Sequence, residues 1–241
     1  MTERGLVVEF VGMPGSGKST LSRRAAEMLE ASGLRVTQPS YPLAHDIPRV
    51  ARLALKSRLV AAEMLAHPRR SLRAAQAIRD SGQARGADTG RMTFNWLLVT
   101  RLMSHPPAPG DLHLFDQGIL QALWSIAYGG APGAAARVAF RLEAGLPRPG
   151  AVVVVRSSAE TVRRRLAGRV DRDSRLDDAG PDGDRAIARG TRVFEEVLEV
   201  LAGWQRRPGP TRVLEVPNNA DDLETAALTL AGRLQLLITG R

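Results

Sequence analysis

The segment LVVEFVGMPGSGKSTLSRR, Leu6 to Arg24, constrains this chain more than any other. Val7, Val8, Phe10 and Val11 form a nearly continuous apolar run, the pattern of a strand buried on both faces of a parallel sheet. Gly12, Met13, Pro14, Gly15, Ser16, Gly17, Lys18 and Ser19 then satisfy G-x-x-x-x-G-K-[ST], and Leu21, Ala25, Met28 and Leu29 resume at helical spacing. Strand, glycine-rich turn and helix form the context in which such a turn cradles an anion. Glycines let backbone N–H groups close on oxygen atoms without an intervening Cβ, and the helix adds its unpaired N-terminal donors and positive dipole end. The expected cradle runs from Gly12 through Thr20, with Lys18 reaching β- and γ-phosphates and the Ser19 hydroxyl ligating Mg²⁺. Lys18 is one of only two lysines, beside thirty-two arginines, and it stands where a compact ammonium suits the chemistry better than a planar fork.

Downstream, the pattern alternates strand and helix. LRVTQ is a weak second strand, residues 45–104 read as two or three helices, and LHLFD is a third strand ending at Asp116. QGILQALWSIAYGG and PGAAARVAFRLEAGLPRPG read as helices, the second with its exit loop. AVVVV is the clearest buried strand, followed by the helix SAETVRRRLAGR. A polar stretch, a helix to Trp204, the strand TRVLEV and a terminal helix from Asp221 complete the chain. The alternation predicts an α/β fold with a doubly wound, five-stranded parallel sheet. At 241 residues it fits a single domain, 1–241, with a helical insertion at 45–104 and an arginine-rich lid at 169–184.

Composition narrows the function classes. With no cysteine, disulfides and thiolate metal sites are excluded, and the absence of a signal-like leader or an apolar run of membrane-spanning length leads us to expect a cytoplasmic protein without a membrane partner. The formal net charge of +9 invites a nucleic-acid reading. The excess is nearly all arginine, however, in a chain rich in alanine, glycine and proline, and no basic residues interleave with stacking aromatics. Nucleic acid is therefore the disfavoured partner.

Three further places carry candidate chemistry. Asp116 closes a strand at the carboxyl edge of the expected sheet, where a carboxylate serves as base for an acceptor hydroxyl, as a Mg²⁺ ligand, or as N-cap of a helix starting at Gln117. Arg165 and Arg169, four apart on a helix, share a face from which they reach one anion, and Arg172 and Arg175 continue the positive array; the alternative is a solvated helix face. In EVPNNADD, after the last strand, Asn218 or Asn219 offers amide contacts to a bound base, or caps the following helix. The aspartates between 171 and 184 do not form a calcium loop, since Arg175 and Leu176 occupy the places of an oxygen ligand and a glycine. The four histidines have no metal-ligand spacing, and no G-x-S-x-G serine is present.

In this order, GMPGSGKST, Asp116, RLAGR with a polar segment behind it, and a closing strand and helix resemble the P-loop kinases of the nucleoside and nucleotide kinase group, especially thymidylate-kinase-like proteins. The resemblance implies a P-loop NTPase fold, ATP and Mg²⁺ as cofactors, a lid carrying Arg165 and Arg169, an acceptor side built by the insertion, and Asp116 meeting the acceptor. It departs at DQG, where those kinases carry an arginine and this chain has Gln117. The expected function is thus ATP-dependent phosphotransfer to a hydroxyl or phosphate of a small molecule, with GTP as the less favoured donor and a homodimer left open. The alternatives are a P-loop NTPase or nucleotide-dependent regulator without such an acceptor, and a polynucleotide kinase.

Overall fold

The computed structural model describes residues 5–41, 48–143, 145–168, 176, 183–207, 209, 211–219 and 223–239. Strands β1 (Leu6–Gly12), β2 (Val36–Thr37), β3 (Leu112–Phe115), β4 (Ala151–Arg156) and β5 (Arg212–Pro217) form one sheet in the order β2-β3-β1-β4-β5. All pairings are parallel, with Leu6 opposite Leu112 and Val8 opposite Ala151. Gly12, Phe115, Arg156 and Pro217 therefore finish at one edge. The chain leaves β1 toward β2 on one side and passes from β3 across β1 to β4 on the other. Its direction reverses beside the ends of β1 and β3, where open α/β sheets bind ligands.

Alternation along the strands fills two apolar layers. Val8, Phe10, Ala151, Val153 and Val155 face the helices α1 (Lys18–Ala31) and α9 (Leu223–Thr239), meeting Leu21, Leu29, Leu230 and Leu234. Val11, Phe115, Val152 and Val154 face the opposite layer, which includes α4 (Gly86–Met103), α5 (Ile119–Gly129), α6 (Ala134–Leu142) and α8 (Gly183–Gln205). Such period-two burial on both faces accounts for the continuous valine run of β4. The remaining described helices are α2 (Arg49–Ala66), α3 (Pro68–Arg79) and α7 (Ala159–Ala167). The described part of the expected insertion, residues 48–104, thus resolves into three helices, with α3 held to α2 by the Arg70–Glu63 ion pair. Among the described residues no helix is long and apolar enough to cross a membrane.

Most expected boundaries fall within two residues of those observed. One difference matters chemically. The helix expected to start at Gln117 begins at Ile119 with Gly118 at its N-cap, and β3 stops at Phe115. Asp116 sits in the turn between them and is not the cap.

Leu21 carries the start of α1 onto the sheet and is fully buried. Leu21→Ala is expected to lower unfolding free energy by about 2–5 kcal/mol in denaturant titration. Removing the exposed Arg24–Glu224 pair of the same layer by Arg24→Ala is expected to leave the midpoint nearly unchanged.

Candidate functional site

The glycine-rich segment is held in shape by its own backbone and by two distant turns. After β1, the Ser16 N–H donates to the Met13 carbonyl at 3.0 Å, and the Leu21 N–H donates to the Gly17 carbonyl at 2.9 Å, closing the first turn of α1. Gly15 and Gly17 have φ of 84° and 82°, a region that side chains make costly. The Ser16 carbonyl points outward: Asn218 Nδ2 donates to it at 2.7 Å and Arg165 Nη1 at 3.2 Å. The Ser157 hydroxyl, 3.2 Å from that carbonyl and 2.9 Å from the Asn218 carbonyl, is shared between the two. In a trans peptide the C=O and the next N–H point in opposite directions. Three donors on the Ser16 oxygen therefore turn the Gly17 N–H to the other side, into the turn. A Cβ on Gly17 would lie 2.5 Å from Asn218 Nδ2 and break this arrangement.

Past Gly17, the first turn of α1 carries Lys18, half-buried, with Ser19 and Thr20 exposed. Its N-cap, Gly17, has no side chain to offer, and no acidic residue lies in its first turn. Its positive end is therefore not neutralised by a local carboxylate. Gly12, Met13, Pro14 and Ser16 are buried, while Gly15 is half-buried.

Arg165 and Asn218 occupy the outside of the turn. Asn218, buried at 4% exposure, commits its amide to Ser16, and its own carbonyl accepts from Arg165 at 3.1 Å. Asn219 Oδ1 accepts the Ser158 N–H at 2.6 Å. Helix α7 ends at Ala167 before Gly168, so the helical spacing expected to join Arg165 to Arg169 is not continued within the described helix. Arg169, with Arg172, Arg175 and most of the expected lid at 169–184, lies outside the described residues.

Asp116 is half-buried at the end of β3, next to β1 in the sheet, and accepts a 2.7 Å hydrogen bond from the Ser40 hydroxyl in the turn after β2. That bond orients one carboxylate oxygen. Gln117 beside it is exposed. Among the described residues no three His, Asp or Glu side chains gather into a metal cluster. An oxygen-seeking cation at this edge would find two protein ligand types, the Ser19 hydroxyl and the Asp116 carboxylate. That fits Mg²⁺, which takes one or two such ligands together with phosphate oxygens and water.

The residue that sequence reasoning passed over is Glu9. It interrupts the apolar run of β1 and is fully buried on the side of the sheet that carries α5. Glu9 Oε1 accepts the Gln121 N–H at 3.0 Å, and the Leu120 and Ile119 N–H groups also face the carboxyl. The first turn of α5 thus closes on a carboxyl from another strand. Burial pushes Glu9 up to about 8, against these N–H groups, which pull it down. A Cβ on Gly118 would land on Glu9 Cδ, so glycine is the residue that lets the start of α5 sit over the carboxyl. Gln121 Oε1 in turn lies 3.4 Å from the Gly12 N–H, linking α5 to the first residue of the turn. The available signals were one acidic residue inside a valine-rich strand and one glutamine inside an apolar helix.

Compared with protein-family models and with curated proteins, the chain matches none.

Because the folded state holds a proton on Glu9 that the unfolded chain releases near 4.5, stability from this group is complete below that pH and is lost as pH rises toward about 8. Glu9→Gln removes the titration. The melting temperature of the wild type, measured against Glu9→Gln, is expected to fall steadily between pH 5 and 8, at about 1.4 kcal/mol per pH unit in free energy. Parallel melting curves would show that Glu9 stays ionised. Gly118→Ala is expected to cost about 1–3 kcal/mol through overpacking against Glu9.

Proposed function

We propose that this chain is an ATP-dependent phosphotransferase of the P-loop kinase type, passing the γ-phosphoryl group to a hydroxyl or phosphate of a small molecule. The observation that carries the reading is the fixed Ser16 carbonyl, which aims the Gly17 N–H into a turn of sequence G-x-x-x-x-G-K-S that runs into an uncapped helix. Backbone donors, the Lys18 ammonium and the positive end of α1 then converge on one anion, as phosphate chains require. The parallel sheet and the reversal of chain direction between β1 and β3 agree with a P-loop fold.

In this reading Lys18 and the N–H groups would hold the β- and γ-phosphates and Ser19 would hold Mg²⁺, with Asp116 as a second ligand where it does not serve as the base. Bound Mg²⁺ supplies neutralising charge to the phosphate oxygens. The acceptor oxygen attacks the γ-phosphorus as the bond to the β-phosphate oxygen breaks, and ADP departs. Asp116, oriented by Ser40, takes the acceptor proton. Arg165 acts on the turn rather than on the transferring group, because its guanidinium is committed to two carbonyls. Ordering the turn before the nucleotide arrives spares binding that entropic cost.

Nucleotide hydrolysis without an acceptor is the second reading. It draws on Gln117, which replaces the arginine that the kinases this chain resembles carry beside their acidic residue.

Labelled ATP offered with a panel of acceptors, with label transfer read separately from phosphate release, decides between the two. Transfer to an acceptor supports the kinase; release alone supports hydrolysis. Lys18→Ala is expected to abolish both while leaving the fold intact, since the side chain acts on phosphate. Asp116→Asn separates the roles of that residue. As the proton acceptor, it should keep ATP affinity and lose transfer by about 10²–10⁴-fold. As a metal ligand it should weaken Mg²⁺–ATP binding and lower transfer and hydrolysis together. Full retention of transfer would remove Asp116 from the mechanism.

A further inference from the structure

Helix α2, which packs on α4 and α3, breaks the rule by which helices cover a core. An amphipathic helix of a folded domain ordinarily turns its apolar stripe inward and its polar face to solvent. Here the most deeply buried side chain is Glu63, tied to Arg70, while Val50 and Leu65, near the two ends of the helix, are 84% and 83% exposed. Of the nine large apolar side chains that stand exposed among the described residues, five belong to α2, so the exposure is concentrated rather than scattered. Single exposed leucines are ordinary, but an apolar patch of this kind marks a contact surface.

Helical spacing gathers the exposed residues into one stripe. Val50, Leu53, Ala54, Ala61, Met64 and Leu65 recur at intervals of three, four and seven, and all are exposed. Over the 18 residues of the helix the stripe extends about 27 Å. The buried residues Val60 and Glu63 lie off it, toward the body of the protein. By the same spacing Arg49 falls on one margin of the stripe and Arg58 on the other; both are exposed, and neither has an acidic partner among the described residues. The charge of the surrounding segment has one sign. Residues 49–79, which span α2 and α3, contain eight basic residues and a single acidic one, Glu63, so most of the formal net charge of +9 resides in this helical pair.

We propose that α2 docks on an anionic lipid surface, lying in its plane with the apolar stripe at the acyl boundary and Arg49 and Arg58 among the headgroup phosphates. Arginine stems are long enough to reach the phosphates while the stripe sinks between them, and each basic residue near such a surface adds to the attraction. Charge selects lipid over a second copy of this chain, because a two-fold contact through the same face sets one basic helical pair against another. Shape selects it over an acidic protein. A stripe exposed at both ends is a ridge, which a fluid bilayer accepts without a matching groove, whereas a protein partner has to supply one. Nucleic acid answers the arginines and leaves the leucines in water. A helix lying in the interface needs no apolar run of spanning length, so the lack of one in this sequence bears only on passage across the bilayer.

The test is co-sedimentation of the full chain with vesicles of phosphatidylcholine alone and of phosphatidylcholine with phosphatidylglycerol in equal parts. Binding to the anionic vesicles is expected, weakening as salt is raised, with little binding to phosphatidylcholine alone. Two double variants separate the contributions. Leu53→Gln/Leu65→Gln, which removes apolar surface, and Arg49→Gln/Arg58→Gln, which removes charge, are each expected to weaken anionic-vesicle binding about tenfold or more. All four side chains are exposed, so both variants should melt as the wild type does. The proposal does not rest on phosphoryl transfer, and Lys18→Ala is expected to bind vesicles unchanged. Equal binding to phosphatidylcholine alone would overturn the role of the arginines, and binding untouched by the leucine variant would overturn insertion of the stripe. A lowered melting temperature of the leucine variant without vesicles would show that the chain covers this face itself, and a solution dimer that dissociates in that variant would assign the face to a second copy. Either result overturns the lipid contact, as does failure to bind anionic vesicles, which would leave an acidic protein as the occupant.

Discussion

Two helix N-termini meet the same edge of the sheet, and the structure treats them in opposite ways. The start of α5 is closed from within by Glu9, a carboxyl carried on the central strand and sealed by Gly118. The start of α1 has glycine at its N-cap and no acidic residue in its first turn. Both present unpaired N–H donors, and burial makes leaving them unmet costly. A carboxyl from another strand thus lies under one helix start, while the other has no acidic residue of its own in its first turn. Because Gln121 reaches from α5 to the Gly12 N–H, the inward-facing carboxyl also fixes the point where the glycine-rich turn leaves β1.

The outer side of that turn is held with equal economy. One carbonyl, Ser16, collects donors from the turn after β4, from α7 and from the turn after β5. All of these sit on one side of β1, toward β4 and β5, whereas Asp116 and Ser40 approach from β3 and β2 on the other. The edge is thereby divided: one flank sets backbone shape, and the other offers a carboxylate beside the open helix start. On the phosphotransferase proposed above, such a division would make the site rigid on the phosphate side and leave a carboxylate on the side of an acceptor.

What could be read from the sequence follows the range of each constraint. The glycine-rich turn, the valine run of β4 and the order of elements are local patterns, and they appear where expected. The start of α5 was misplaced because local capping rules offer only Asp116, while the group that satisfies this helix lies 112 residues away on β1. Glu9 itself was masked by its apolar neighbours, whose burial sets the character of the whole strand. Arg165 and Asn218 were marked by position, but their bonds to Ser16 span 149 and 202 residues, and no spacing rule relates such pairs. Sequence therefore located the edge of the site and left the wiring behind it to tertiary structure.

The arginine excess takes on a different meaning in this frame. Read as bulk charge, it suggested nucleic acid, yet many of the guanidinium groups are paired with carboxylates, mostly at the surface: Arg24 with Glu224, Arg141 with Asp80, Arg163 with Asp184 and Arg207 with Glu143, and, with a fully buried partner, Arg70 with Glu63. A planar fork with several donors suits that work, because it joins two acceptors in a fixed geometry and does not lose its charge when partly buried. Arg165 uses the same property on two backbone carbonyls. A lysine there, with a strongly hydrated point charge on a flexible stem, would hold the turn less firmly. At position 18 the preference inverts on the proposed reading, in which a single compact charge would reach phosphate without imposing a fork on it. That this chain, so sparing of lysine, keeps one there is the same chemical distinction seen from the ligand's side.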